Sequence, residues 1–159
     1  MIPKQPTPGR ILALDLGEKR LGVALSDERR IVARPFVVLK RHSRAADFAR
    51  LARIIQEQQV TLLLVGLPVG LTTAGESTEP ENARVAWMRD YATELSAAVN
   101  LPLVFCDESY STVEAAASLH ARGQSARQQR QRIDAVAAAI FLQAYLDASA
   151  SAAAFVHEP

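Results

Sequence analysis

The chain has 159 residues and 17.3 kDa, with 49% hydrophobic and 22% charged side chains, a balance that excludes a disordered or fibrous polypeptide. Its 18 basic and 17 acidic residues leave a net charge of +1, so total charge selects no partner and its distribution has to be read instead. No run approaches the ~20 consecutive apolar residues of a membrane span, and MIPKQPTPGR lacks the apolar core of a secretion signal, so a cytoplasmic protein without a membrane partner is expected.

A chain of this length buries enough surface for one core, and no linker divides it. A single domain over 1–159 is expected, with an ordered core from about 10 to 148. After a lead-in with three prolines come ILALDL (11–16), RLGVALS (20–26) and IVARPFVVLK (31–40), separated by the polar connections GEK and DERR. Connections this short join antiparallel neighbours, so the three runs predict a meander, and Pro35 places the third at a sheet edge because it cannot donate to a ladder.

The period then changes. In SRAADFARLARIIQEQQ, Phe48, Leu51, Ala52 and Ile55 fall at i, i+3, i+4 and i+7 behind a possible N-cap at Ser43, which predicts an amphipathic helix. VTLLLVGLP (60–68) is a continuous apolar run, as expected of a strand covered on both faces. Past the loop-like VGLTTAGESTEP, Thr78 and Glu81 have capping-box spacing around Pro80 and predict a helix from about 79 to 99. LPLVFCDE (101–108) reads as the next strand, with Cys106 as a small core side chain. Ser111 and Glu114 repeat the capping spacing for a further helix. An arginine-rich loop, ARGQSARQQRQR, then leads into a last helix, IDAVAAAIFLQAYLDA, before a tail expected to fray. The sum is an α/β fold: a five-stranded mixed sheet, three strands antiparallel and two added in parallel, flanked by helices.

Three acids stand out. Asp15 interrupts an apolar strand on the face of Ile11 and Ala13, where a lone carboxylate is costly unless it is paired or binds a cation. Glu108 lies at the carboxyl end of a parallel strand, where open α/β sheets bind ligands. Asp134 is expected in the first turn of the last helix, where the dipole favours an anion. Meeting at one sheet edge, the three would offer hard oxygen ligands to Mg²⁺ or Mn²⁺ and support phosphodiester hydrolysis. The plain alternatives are that Asp15 pairs with Lys19 or Arg20 and that Asp134 only starts a helix. Lys19, Arg20, Arg127, Arg130 and Arg132 are the candidate contacts to a nucleic-acid backbone. His42, His120 and His157 are isolated, and there is no Walker lysine signature.

Taken in order, LALDLGEKRLGVALSD, LLLVGLP, VFCDESYSTVEA and RIDAVAAAIFLQAYLD resemble the YqgF/RuvX family of RNase H-like proteins over roughly 10 to 148. The resemblance implies an RNase H-like sheet, an acidic triad at Asp15, Glu108 and Asp134, and a metal-dependent endonuclease. Its implied role is maturation of the 5′ end of pre-16S rRNA in ribosome biogenesis. Family members commonly carry Arg-Leu or Arg-Phe after the Asp-Glu pair, whereas this chain has Ser109-Tyr110. A Holliday junction resolvase acting on branched DNA is the nearest alternative, and a non-catalytic RNA- or protein-binding module is another. Either a monomer or a homodimer is compatible with the sequence. An actin-like two-lobed ATPase, suggested by the DLG pattern, needs a longer chain.

Overall fold

Hydrophobic alternation and apolar runs build a sheet that splits the core in two. The computed structural model describes residues 7–68, 79–108 and 126–156. In chain order the elements are β1 (Arg10–Leu16), β2 (Arg20–Ser26), β3 (Ala33–Lys40), α1 (Arg44–Glu57), β4 (Val60–Leu67), α2 (Glu79–Val99), β5 (Leu103–Asp107) and α3 (Ala126–Val156). The five strands lie in the order β3-β2-β1-β4-β5, with β1–β2 and β2–β3 antiparallel and β1–β4 and β4–β5 parallel. Pro35 sits on the edge strand as expected, next to a register shift between Val23 and Ala24.

Side chains alternate across each strand and so sort into two clusters. Leu12, Leu14 and Leu16 of β1 and Leu63, Val65 and Leu67 of β4 face α1 and α2, meeting Leu51, Ile55, Met88, Tyr91 and Leu95. Ile11, Ala13, Ala24, Leu62 and Leu64 face α3, meeting Ala138, Phe141, Leu142 and Leu146. At the predicted N-cap of α1, the Ser43 side chain accepts from the Ala46 N–H. Gln59 and Asn100, with φ of 55° and 54°, lie just past α1 and α2 in the left-handed region that turns a chain out of a helix.

One buried charge that the helical pattern did not reveal sits on α1. Asp47 has no exposed surface; it accepts from the His42 N–H at 3.0 Å, pairs with Arg50 at 2.7 Å, and has the Tyr91 hydroxyl at 3.4 Å. Burial beside this carboxylate pushes the Tyr91 phenol up to about 12.

α3 corrects three expectations. ARQQRQR is helical from Ala126 onward rather than a loop, and the tail continues the helix to Val156 rather than fraying at 148. The cause is composition: residues 126–156 contain neither glycine nor proline and are rich in alanine, glutamine and arginine, all strong helix formers. Asp134 therefore lies two turns inside the helix, beyond the reach of the terminal dipole. Within α3, Arg132–Ala152 is long and apolar enough by composition to cross a bilayer, and part of it packs on the sheet through Ala138, Phe141 and Leu142. Gln143 ties it to the β2–β3 turn, accepting from the Ala33 N–H at 2.9 Å and donating to the Ile31 carbonyl at 3.0 Å. The helix expected from Ser111 and the VGLTTAG loop lie outside the described residues.

Candidate active site

Asp15 is the penultimate residue of β1, nearer its carboxyl end than its middle, and projects from the α3 face. Glu108 follows the last residue of β5, where its N–H donates to the Leu67 carbonyl at 3.0 Å and keeps it in line with the end of β4. Parallel β1, β4 and β5 thus bring both acids to one edge, and their side chains are hydrogen-bonded to each other.

The pair is electrostatically frustrated. Burial pushes the Asp15 carboxyl up to about 6; the hydrogen bond from Glu108 opposes that rise, and repulsion from Asp134 adds to it. Burial and then the Asp15 charge push Glu108 up to about 8. Both carboxyls therefore hold protons to higher pH than free acids do, and they titrate as a pair. The positive charge of Arg84, on α2, lowers both.

Asp134 arrives from the opposite layer. Its carboxyl is raised by burial and lowered by Arg20, whose Nε lies 3.5 Å from Oδ2. Arg20 thus pairs with Asp134 and not with Asp15. Asp15 and Glu108 are in contact, while Asp134 acts on Asp15 by charge; among the described residues no three acids gather at ligand distance. Lys19 and Arg20 are exposed on the β1–β2 connection and the start of β2, and Arg132 is exposed on α3. Arg127 and Arg130 fall on the first turns of the same helix.

Two glycines make this approach possible, and neither was singled out from the sequence. Gly22 lies opposite Asp15 in the β1–β2 ladder, and a β-carbon there would come 2.2 Å from the Asp134 carbonyl oxygen. A β-carbon at Gly66 would come 2.8 Å from the Phe141 ring and 2.9 Å from Glu108 Oε2. A glycine inside an otherwise apolar strand is itself a signal of such close approach, and RLGVAL and LLLVGLP both carry it. Arg84, an exposed arginine on a helix, carried no signal. Cys106 is half-buried on the α3 face, and burial pushes its thiol up to about 12, consistent with an inert packing role.

An antiparallel meander extended by two parallel strands and flanked by helices is an RNase H-like fold. T. thermophilus RuvC, solved in complex with a Holliday junction substrate, superposes with a TM-score of 0.53 at 15% identity, over 89% of this chain and 95% of that one. The chain belongs to the RuvX family, described as Holliday junction resolvase, whose profile matches residues 9–148. An Anaeromyxobacter dehalogenans protein named "Putative pre-16S rRNA nuclease" is 41% identical over 138 residues, 87% of this chain and 96% of its own. A Roseiflexus protein of the same name is 39% identical over 140 residues, 88% of this chain and 95% of its own. The resemblance and the fold class read from the sequence are both borne out.

Proposed function

We propose that this RuvX-family protein is a metal-dependent endonuclease that hydrolyses phosphodiester bonds at the 5′ end of pre-16S rRNA, with Asp15, Glu108 and Asp134 as its working acids. The observation that carries this reading is the hydrogen-bonded Asp15–Glu108 pair at the carboxyl edge of the parallel strands. Its support from kinship is the shared name of relatives at about 40% identity over most of the chain.

The donor set fits a hard divalent cation. Two carboxyl groups held in contact and raised chiefly by burial are relieved when a cation takes the place of the shared proton. Asp15 and Glu108 would hold Mg²⁺ or Mn²⁺, joined by Asp134 once Arg20 is drawn elsewhere. Bound metal supplies polarisation of the scissile phosphate and a lowered pKa for water. The chain's own part is positional. β1 and β5 fix the two acids, Gly22 lets α3 bring Asp134 to the edge, and Arg20 is exposed enough to exchange its carboxylate for a substrate phosphate.

The test uses purified protein with Mg²⁺ or Mn²⁺, a precursor 16S 5′-leader RNA, a four-way DNA junction and an Asp15→Asn control. Cleavage of the RNA that the control lacks is the expected result. Symmetric cuts confined to the junction would replace this reading with a resolvase. No cleavage of either by a folded protein that still binds RNA would replace it with a binding module.

A further inference from the structure

At the end of β1, between the β1–β2 connection and α2, lies a cavity of about 450 Å³ lined by Leu16, Glu18, Arg41, Ala83, Arg84 and Trp87. Sites for small ligands run from about 300 to 1,000 Å³. Leu16 directly follows Asp15 at the end of β1, and Arg84 acts on both Asp15 and Glu108 through its charge. The cavity therefore lies at the carboxyl end of β1, the same end of the strand as Asp15, on the α2 face and opposite the α3 face from which Asp15 projects.

Its walls combine a fixed flat surface with an exposed cation. The Arg41 guanidinium lies 4.6 Å from the Trp87 ring centroid, and Trp87 packs on Tyr91 at 5.6 Å. Arg41 is held in that pose: NH1 donates to the Gly17 and Glu18 carbonyls at 3.2 and 3.1 Å, and Nε lies 3.8 Å from the buried Asp47. Ala83 and Arg84 are exposed on the early turns of α2. Aromatic rings and guanidinium planes are the surfaces on which unstacked bases are received, and a neighbouring arginine suits a phosphate. Glu18 adds an acceptor for a base amino group or a ribose hydroxyl, while the two arginines keep the lining cationic.

We propose that this cavity is a nucleotide subsite, taking one unpaired nucleotide of the substrate strand beside the scissile bond, its base against Trp87 and Arg41 and its phosphate on Arg84. The proposal rests on the nuclease reading and adds where the strand is gripped. Because a duplex keeps its bases stacked, the subsite selects single-stranded leaders, bulges or frayed ends.

Trp87 is the only tryptophan, so its emission reports on the cavity directly. With EDTA present, the protein is titrated with a short end-labelled single-stranded RNA, and with the same RNA carrying one abasic position, while Trp87 emission and label anisotropy are followed together. Saturable quenching is expected with the intact RNA and weaker quenching with the abasic one. Arg84→Gln should weaken binding about tenfold and lower the log–log salt slope by about 0.7, the contribution of one phosphate contact to a single strand. Ala83→Leu, an exposed change at the cavity wall, should remove the quenching while circular dichroism stays unchanged. Binding seen by anisotropy without any change in Trp87 emission, and equal in both variants, would overturn the subsite; so would absence of binding. RNA cleavage abolished by Asp15→Asn but unaffected by Arg84→Gln and Ala83→Leu would sink the subsite and keep the nuclease. Normal quenching by a protein that cuts nothing would do the reverse.

Discussion

Gly22 of β2 lies against the backbone of Asp134 in α3, with room for a hydrogen and none for a methyl group: a β-carbon would meet the Asp134 carbonyl oxygen at 2.2 Å and its carbonyl carbon at 2.3 Å. The obstacle is main chain and not the end of a flexible side chain, so α3 itself would have to move. Gly22→Ala is expected to destabilise the protein by about 1–3 kcal/mol, the usual cost of overpacking a tight core. Urea unfolding measures this, and an unchanged midpoint would contradict the close approach.

The acid pair predicts a loss of turnover without loss of fold. Asp15→Asn and Glu108→Gln each remove one member of the hydrogen-bonded pair. Each should lower RNA cleavage by roughly 10²-fold or more, the scale for removing a group that stabilises charge at a reacting centre. Single-turnover assays at saturating Mg²⁺, alongside thermal melts, separate the two effects.

The same pair gives stability a pH dependence of definite sign. Burial pushes Asp15 up to about 6 and Glu108 up to about 8 in the folded protein, against ordinary values of 3.8 and 4.5, and as hydrogen-bonded neighbours they release their protons as a pair. The native state thus keeps protons that the unfolded chain has released, so the stabilisation is complete below about pH 4 and is lost as pH rises through about 6 and about 8. In chelator, Tm should decline across that window, and Glu108→Gln should flatten the decline. A wild-type and variant profile of equal slope would refute the assignment.

Asp47 makes a separate prediction, because its carboxylate is fully buried among Arg41, Arg50 and Tyr91. Asp47→Ala leaves those partners without their anion, and breaking a buried pair in this way costs about 3–5 kcal/mol. Arg50 is a third exposed and recovers some hydration, so the lower end is expected. Chemical denaturation gives the value; a change within ±0.5 kcal/mol, roughly the scale of a neutral surface substitution, would refute it.

Arg20 should behave in the opposite manner. Its side chain is 49% exposed and its pair with Asp134 is long at 3.5 Å, so Arg20→Ala should alter stability by less than about 1 kcal/mol. If it exchanges Asp134 for a phosphate, the variant should bind RNA more weakly and with a shallower salt dependence. Anisotropy titrations at several salt concentrations distinguish that outcome from a purely structural ion pair.

Local signals determined the meander through its short connections, the edge position of Pro35 through its missing donor, the amphipathic α1 through its period and Ser43 cap, and the two parallel strands through their apolar runs, because each depends on neighbours within a few residues. Asp15 and Glu108 stand out for a related reason: a charge in an apolar strand, or at its end, conflicts with its local surroundings, whereas Asp134 is singled out by an expected helix start that in the structure lies two turns earlier, at Ala126. α3 begins earlier than its pattern predicts, since a run of arginines and glutamines reads equally as solvated loop or as helix, and the absence of any glycine or proline favours the helix. What only the tertiary structure decided are relations between segments far apart in the chain: the contact of Asp15 with Glu108, the hold of Arg20 on Asp134, the space left by Gly22 and Gly66, and the cavity that Arg84 and Trp87 line at the end of β1. Such relations depend on how layers pack, and packing distance is set by the absence of a side chain as much as by its presence.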